Sequence, residues 1–198
     1  MAIIILGLGN PGSEYAKTRH NAGRIAAELI AKREKFDAFA PHKSAQALIA
    51  EGAIDGEKIT IVLPEVFMNQ SGKTASALVK SPKAAKNLLV IHDDLDMPVG
   101  SVKMVFGRGS GGHKGVESVM RAVKTKDFAR IKIGTAGKTA SGKAKKPSGA
   151  KNVVKHVIGK FSPSEEVHFK KALLRATETV RIFAASGLDQ AIQKANTK

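Results

Sequence analysis

Cysteine and tryptophan are absent from this chain of 198 residues, and tyrosine occurs only once. Without cysteine there is no disulfide, no thiolate nucleophile and no thiolate ligand for a metal ion, and this composition suits a reducing compartment. Few aromatic rings are available to stack on bases, which disfavours readers of single-stranded nucleic acid. We therefore expect a cytoplasmic protein that would hold any nucleic acid through its phosphates and shape.

Long apolar runs are also missing. None approaches the roughly 20 residues that cross a bilayer, so we expect no membrane association. The apolar start of the chain follows no basic segment, which favours a core strand over a signal peptide. With 42% hydrophobic residues the chain can bury a full core. Its length suits a single domain over residues 1–198.

Acidic residues are scarce, since Asp and Glu number 17 against 33 Lys and Arg, for a formal net charge of +16. Such a balance favours a polyanionic partner, most often nucleic acid; a solubilising surface is the alternative. The distribution favours the polyanion, because no acidic residue lies between Asp127 and Glu165. Nine basic residues occupy that interval: Arg130, Lys132, Lys138, Lys143, Lys145, Lys146, Lys151, Lys155 and Lys160. Its Gly, Ser, Ala and Lys content predicts a mobile basic loop over 138–151, or alternatively a flexible linker.

Strand-like and helix-like patterns alternate along the chain, which predicts an α/β fold. The predicted strands cover 1–6, 46–51, 58–63, 87–91, 102–106 and 130–134, and 36–44 is expected to be a connection. Helices are predicted over 22–34, briefly near 75–79, from 116 onward, and after a capping box that begins at Ser162. The last helix should end near Gly187, with one buried face: Val167, Leu173, Leu174, Val180 and Phe183.

Polar loops are predicted to follow the strands, at 7–23, 64–72 and 92–100, and a glycine-rich loop at 107–115 precedes a helix. Ligands of open α/β sheets bind outside the carboxyl ends of the strands, so we expect these loops to converge. His20 is a candidate general base and Asp93 a candidate partner that orients its ring. Asn10 and Asn69 can donate amide hydrogens to a carbonyl or an oxyanion.

Each of these assignments has an alternative. His20 can be a structural histidine, Asn10 and Asn69 can cap turns, and Met68 can simply fill the core. The residues at 92–94 can form a metal site, although no His-x-His or His-x-x-x-His pair supports one. Residues 7–12 match the dinucleotide fingerprint G-x-G-x-x-G, but Pro11 disfavours the helix that this fingerprint requires there.

Four segments together resemble the bacterial-type peptidyl-tRNA hydrolase family. They are G-L-G-N-P-G-S-E-Y-A-K-T-R-H-N-A-G at 7–23, P-E-V-F-M-N-Q-S-G at 64–72, H-D-D-L-D-M-P-V-G at 92–100 and G-S-G-G-H-K-G at 109–115. Any one of them is weak evidence, whereas four in the same order and spacing are specific. The resemblance implies a single α/β domain with a mixed twisted sheet flanked by helices.

The resemblance also implies an activity: hydrolysis of the ester between a peptide and the 3′ ribose of tRNA, without metal or organic cofactor. His20 would activate water and Asp93 would hold its ring. The substrate would lie against Asn10, Tyr15, Met68, Asn69, His113 and Lys114. The tRNA would contact Lys103 and Lys132, which match basic positions of the family, and charge alone adds Arg108, Lys143, Lys145 and Lys146. We expect a monomer.

Lys114 is a departure from the family, in which the fourth motif usually reads G-G-H-N-G. A lysine donates hydrogen bonds but cannot accept them. It would lower the pKa of His20 if it lay nearby, or it could point at the aspartates of 93–96. The substitution is the one support for an alternative function, a non-catalytic RNA-binding relative of the same fold.

Overall fold

The structure, a computed structural model, describes residues 2–197. Met1, predicted to begin the first strand, and Lys198 lie outside the described residues. The strands are β1 (Ile3–Gly7), β2 (Ala40–His42), β3 (Ala47–Ile54), β4 (Glu57–Pro64), β5 (Leu88–Pro98), β6 (Val102–Phe106), β7 (Ala129–Lys138) and β8 (Ala144–Lys145). The helices are α1 (Ala22–Arg33), α2 (Ser71–Leu78), α3 (Lys114–Val123), α4 (Ala150–Val157) and α5 (Pro163–Asn196).

The strands form one mixed sheet in the order β2-β3-β4-β1-β5-β7-β6, with β8 paired to β7. The four inner strands β4, β1, β5 and β7 are parallel, whereas β3 and β6 are antiparallel to their neighbours. The α/β domain with a mixed sheet is therefore confirmed. β1 is the central strand, because it pairs with β4 on one side and with β5 on the other.

Both faces of the inner strands are covered, which explains their continuous apolar runs. Side chains alternate along β5: Leu89 and Ile91 face the core beneath α1 and α5, whereas Leu88 and Val90 face the core beneath α2 and α3. Close packing brings α1 onto β5 at Gly23, where a Cβ atom would overlap the carbonyl oxygen of Ile91. The result is three layers, with helices on each face of the sheet.

The segment 92–100 is not the loop that its aspartates and Pro98 predict. β5 continues to Pro98, because its pairing with β7 runs through Asp93 and Asp94 and resumes at Pro98 after an irregularity. Strand conformation is tolerated because each carboxylate has a partner. Asp93 contacts two histidines, Asp94 pairs with Lys132, and Asp96 pairs with Lys146 at 2.5 Å.

Regular structure also occupies parts of two other predicted loops. Residues 36–44 include the edge strand β2, which pairs with β3. Within 138–151, β8 pairs with the end of β7, a turn joins Thr139 to Lys143, and α4 begins at Ala150. The mobility of this basic loop stays a prediction.

Helix α5 begins at the capping box, with both Ser162 and Glu165 hydrogen-bonded as predicted. At Gly187 the φ angle is 82°, so the helix breaks there and a second helical segment follows. The predicted buried face is wrong at Val167 and Leu174, which are 55% and 47% exposed. Leu173 and Val180 are buried as predicted, and Phe169, Ala172 and Ala176 are buried beside them. Across residues 2–197, no helix has both the length and the apolar character needed to cross a bilayer.

Candidate active site

Three segments meet at the edge of the sheet where β1 and β4 end. Asn10 follows β1, Met68 follows β4, and Asp93 lies in the middle of β5, two residues beyond the last residue that pairs with β1. Parallel strands that diverge from a central strand leave a crevice at these ends, which is the usual ligand position in open α/β sheets. The predicted convergence of Asn10, Met68 and Asp93 on this edge is therefore what the topology produces.

His20 lies in a single 3-10 turn, Arg19–Asn21, that leads into α1. The preceding residue holds this turn, because the buried Arg19 donates to the carbonyl of Thr135 at 2.9 Å and pairs with Glu165 at 2.7 Å. Its guanidinium also lies 4.6 Å from the centre of the Phe161 ring. The turn that carries His20 is thus attached to β7 and to the start of α5.

Asp93 joins two histidine rings. The Nδ1 atom of His20 lies 2.9 Å from Asp93 Oδ1, and the Nε2 atom of His113 lies 2.9 Å from the same oxygen. The Asp93 side chain is 2% exposed, while the His20 ring reaches the surface at 15%. Because the carboxylate accepts at Nδ1 of His20, the hydrogen of the neutral ring lies there and Nε2 is the basic nitrogen.

The orientation of His113 follows from the backbone of α3. His113 is the N-cap residue, and its Nδ1 atom accepts hydrogen bonds from the backbone N–H groups of Gly115 and Val116. An accepting Nδ1 carries no hydrogen, so the neutral ring carries it on Nε2 and donates to Asp93. The helix cap therefore sets the tautomer that the carboxylate needs.

The charges of the site follow from burial and these contacts. Burial opposes ionisation of Asp93, but His20 and His113 hold the pKa of its carboxyl well below the usual range. Burial also disfavours a charged His20, yet the charge and hydrogen bond of Asp93 outweigh it, and the pKa of His20 is raised above 6.5. The site thus contains an ionised carboxylate against an imidazole that titrates above its ordinary value.

Asn10 is held by its backbone and oriented by its side chain. The buried Asn21 accepts from the backbone N–H of Asn10 and donates to its carbonyl, each at 2.9 Å. Asn10 Oδ1 in turn accepts from the backbone N–H of Met68 at 2.8 Å. The carbonyl end of the Asn10 amide is thereby engaged, and its NH2 end has no hydrogen bond to residues 2–197.

The side chains after β4 divide between core and surface. Met68 is buried, and its sulfur lies so close to Gly115 that a Cβ atom there would overlap it. Phe67 is exposed and meets the half-buried Tyr15 edge to face, with ring centres 6.4 Å apart. Asn69 is exposed and lines a shallow groove between α2 and α3.

A model of the peptidyl-tRNA hydrolase family matches residues 4–198. The chain belongs to this family. The peptidyl-tRNA hydrolase of Mycobacterium bovis (strain BCG / Pasteur 1173P2) is 36% identical over 192 residues, covering 96% of this chain and 94% of that protein. That of Syntrophotalea carbinolica is 32% identical over 196 residues, covering 98% and 97%. The crystal structure of the Acinetobacter baumannii peptidyl-tRNA hydrolase superposes with a TM-score of 0.88 at 30% identity, covering 99% and 95%. The resemblance carried by the four motifs is confirmed.

The lysine that departs from the family pattern pairs with a residue of its own helix rather than with His20. Lys114 is the first residue of α3, its side chain is 72% exposed, and its Nζ atom lies 3.2 Å from Glu117. The carboxylate of Glu117 also accepts a hydrogen bond from the hydroxyl of Ser110. Neither expected position, beside His20 or at the aspartates of 93–96, is the one that Lys114 occupies.

His20, Asp93 and His113 also form the group best placed to bind a metal ion among residues 2–197, since their ligand atoms lie within 4.8 Å of one another. The facing N and O atoms are at hydrogen-bond distance, and His113 Nδ1 is occupied by the backbone of α3. Zn–N bonds of about 2.1 Å would require both hydrogen bonds to be replaced. The donor set therefore fits a proton-transfer network better than a metal centre.

The predicted tRNA contacts lie on β6, on β7 and in the segments that follow these two strands. Lys103 and Lys132 are cross-strand neighbours on β6 and β7, and Lys143, Lys145 and Lys146 lie in or next to the β8 hairpin. We call these five lysines the basic edge. Arg108 is an exposed residue of the glycine-rich loop. Two of the lysines are partly neutralised, because Lys132 pairs with Asp94 and Lys146 with Asp96.

Sequence reasoning missed three residues that support the site. Asn21 clamps the backbone of Asn10, Arg19 anchors the turn of His20, and Arg130 binds the glycine-rich loop. Asn21 belongs to the first motif, but nothing in its position indicates a contact with Asn10 eleven residues earlier. Arg130 appears in the sequence only as one of many basic residues, and its burial is what distinguishes it.

Proposed function

We propose that this chain hydrolyses the ester bond between a peptide and the 3′ ribose of tRNA, with water activated by His20. The observation that carries the mechanism is the 2.9 Å contact between His20 Nδ1 and the buried Asp93. It leaves Nε2 of His20 as the atom that takes a proton from water. General-base catalysis of this kind contributes about 10²–10⁴-fold to the rate.

Asp93 orients His20 and stabilises the imidazolium that forms when water is deprotonated. Its low pKa supports this role, because an ionised carboxylate favours the charged ring. The raised pKa of His20 makes the ring a stronger base than free imidazole. The same shift implies that His20 becomes protonated, and loses its function as a base, as the pH falls through a value above 6.5.

The attack of hydroxide on the ester generates an oxyanion, which needs hydrogen-bond donors. Asn10 is suited to donate, because Met68 N–H occupies its carbonyl oxygen and leaves its NH2 group for the substrate. Asn69 offers a second amide on the adjacent turn. Met68, Tyr15, His113 and Lys114 complete the substrate contacts that we propose.

The tRNA part of the substrate accounts for the charge of the protein. Two lysines of the basic edge, Lys132 and Lys146, pair with Asp94 and Asp96 on the strand that carries Asp93, so a polyanion bound there would place its end near the proposed catalytic residues. Phosphate contacts should make the affinity depend steeply on salt concentration. We further propose that the enzyme acts as a monomer in the cytoplasm, and without a metal, because the facing atoms of His20, Asp93 and His113 already bind one another.

The alternative of a non-catalytic RNA-binding relative is not favoured. The family match covers nearly the whole chain, and the proposed base, its carboxylate and the Asn10 amide are all present in a connected network. The one observation in favour of this alternative is the lysine at position 114, and that side chain pairs with Glu117 at the surface.

Release of peptide from purified N-acetylated aminoacyl-tRNA tests the proposal. The wild-type protein should release the peptide and free tRNA, and dialysis against EDTA should leave the rate unchanged. No release above an enzyme-free blank would overturn the proposed function. A rate that is lost with EDTA and restored by zinc would contradict the metal-free mechanism, but it would not contradict the assignment of the substrate.

A further inference from the structure

Arg130 is a buried cation whose side-chain hydrogen bonds to residues 2–197 go to one loop. It lies on β7 and is 1% exposed. Its Nη2 group donates to two consecutive carbonyl oxygens, those of Arg108 at 2.8 Å and Gly109 at 2.9 Å. Among residues 2–197 it forms no ion pair, because the nearby carboxylate of Asp94 pairs with Lys132.

This arrangement is costly for folding alone. Burial of a guanidinium that has no direct ion pair is unfavourable, and burial lowers the pKa of Arg130 more than the nearby charge of Asp94 raises it. Its Nε atom has no hydrogen-bond partner within residues 2–197. An apolar side chain of similar length would fill the same space without that cost. Stability of the core therefore does not explain an arginine at this position.

The loop that Arg130 binds has little else to hold it. Residues 107–112 join β6 to α3, and Cβ atoms added at Gly109, Gly111 or Gly112 would meet no atom within 4 Å. The other hydrogen bonds of this loop within residues 2–197 are local: Ser110 contacts Gly112, His113 and Glu117. The two bonds from Arg130 are thus its hydrogen-bonded attachment to the sheet.

The loop ends at His113, which is the residue that contacts Asp93. The ring of His113 also packs edge to face against the buried His92, with centres 4.8 Å apart. Displacement of the loop would move His113 relative to Asp93 and so change the carboxylate that orients His20. A continuous set of contacts therefore runs from Arg130 through Gly109 and His113 to the catalytic pair.

We propose that Arg130 is a positioning residue, which fixes the glycine-rich loop on β7 so that His113 keeps its hydrogen bond to Asp93. This inference rests on the proposed function in which Asp93 orients His20. It assigns to one basic residue of the 127–165 interval a role inside the protein rather than at the tRNA surface. It predicts that Arg130 affects turnover more than substrate binding.

The test compares Arg130→Met with wild type in steady-state hydrolysis and in ¹⁵N NMR of the histidine rings. The kcat should fall about tenfold, since small displacements of catalytic groups are costly, while KM stays within twofold. The His113 spectrum should lose the pattern of a single neutral tautomer with hydrogen on Nε2. Leu173→Ala is the matched control, since it destabilises the core beneath α5 and should leave kcat and the His113 spectrum unchanged.

A double-mutant cycle makes the coupling measurable. If Arg130 acts through His113, Arg130→Met should lower kcat far less in a His113→Ala background than in wild type. Fully additive losses, or a wild-type kcat and His113 spectrum in Arg130→Met, would overturn the inference.

If Arg130→Met does not fold, Arg130→Lys provides the test. It keeps the charge on a shorter side chain, so reduced kcat with an altered His113 spectrum supports the inference, and an unchanged enzyme contradicts it. The proposed function would instead fail if wild type itself released no peptide.

Discussion

The Nε2 atom of His113 lies 2.9 Å from Asp93 Oδ1, and the opposite nitrogen of the same ring caps α3. A helix N-terminus is thereby connected directly to the carboxylate of the proposed catalytic pair. His20 contacts the same oxygen from the other side. The two rings, with centres 5.0 Å apart, therefore share one negative charge.

Removal of His113 should raise the pKa of His20. In His113→Ala the whole charge of Asp93 acts on His20, and loss of the neighbouring ring also reduces the burial that opposes protonation. The acidic limb of the pH–kcat/KM profile should move to higher pH, because His20 must be neutral to accept a proton. His113→Asn, which can still cap α3, separates this effect from the loss of about 1 kcal/mol expected for a missing cap. A limb that stays in place or moves to lower pH would contradict the shared-charge account.

Asn21 should affect both stability and substrate binding, although it does not face the substrate. Asn21→Ala leaves the backbone N–H and C=O groups of Asn10 without partners, which should cost about 1–3 kcal/mol in urea unfolding. Because Asn10 then loses its orientation, KM should rise. Asn21→Asp keeps the acceptor for Asn10 N–H and loses the donor, so its effects should be intermediate. Equal KM values in all three proteins would show that the clamp does not position Asn10.

Lys114→Asn should leave the acidic limb of the pH profile unchanged. Lys114 pairs with the partly exposed Glu117, and a surface pair of this spacing contributes little to stability. Unfolding midpoints should therefore differ little, and any kinetic change should appear in KM through lost substrate contact. A limb that moves to higher pH in Lys114→Asn would show instead that the lysine charge lowers the pKa of His20.

The sequence predicts the fold class and the main members of the site better than it predicts their connections. The strand at 102–106 is confirmed with its bounds, because its alternation and flanking glycines are local signals. The extension of β5 through Asp96 is not predictable locally, since it depends on pairing with β7 and on cations supplied by Lys132 and Lys146. The predicted buried face of α5 is wrong at Val167 and Leu174, because the spacing of apolar residues in a helix does not show which side packs against a twisted sheet.

The supporting residues of the site escape prediction for a related reason. Arg130 and Asn21 act by hydrogen bonds to distant backbone atoms, which leave no pattern of residue types. For Lys114 the sequence leaves two positions open, beside His20 or at the aspartates of 93–96. The side chain takes neither position, because an i,i+3 partner at Glu117 lies on the same helix.

Neutralisation of the β8 hairpin should weaken tRNA binding mainly at low salt. Replacement of Lys143, Lys145 and Lys146 by Gln removes up to three phosphate contacts, each of which contributes roughly 0.7–0.9 to the slope of log K against log salt. The matched control replaces three exposed lysines of α5, Lys170, Lys171 and Lys194, with Gln. Equal slopes for the two triple variants and wild type would exclude the hairpin from the tRNA interface.

The most direct measurement of the central claim follows His20→Ala through single-turnover hydrolysis and tRNA binding in parallel, with the exposed His168→Ala as control. The chemical step should slow by at least about 10²-fold, while the affinity for uncleaved N-acetylated aminoacyl-tRNA stays within twofold and His168→Ala matches wild type. Hydrolysis by His20→Ala at a near-wild-type rate would contradict the claim that His20 activates water. An equal loss of rate and affinity would show that His20 serves in binding instead.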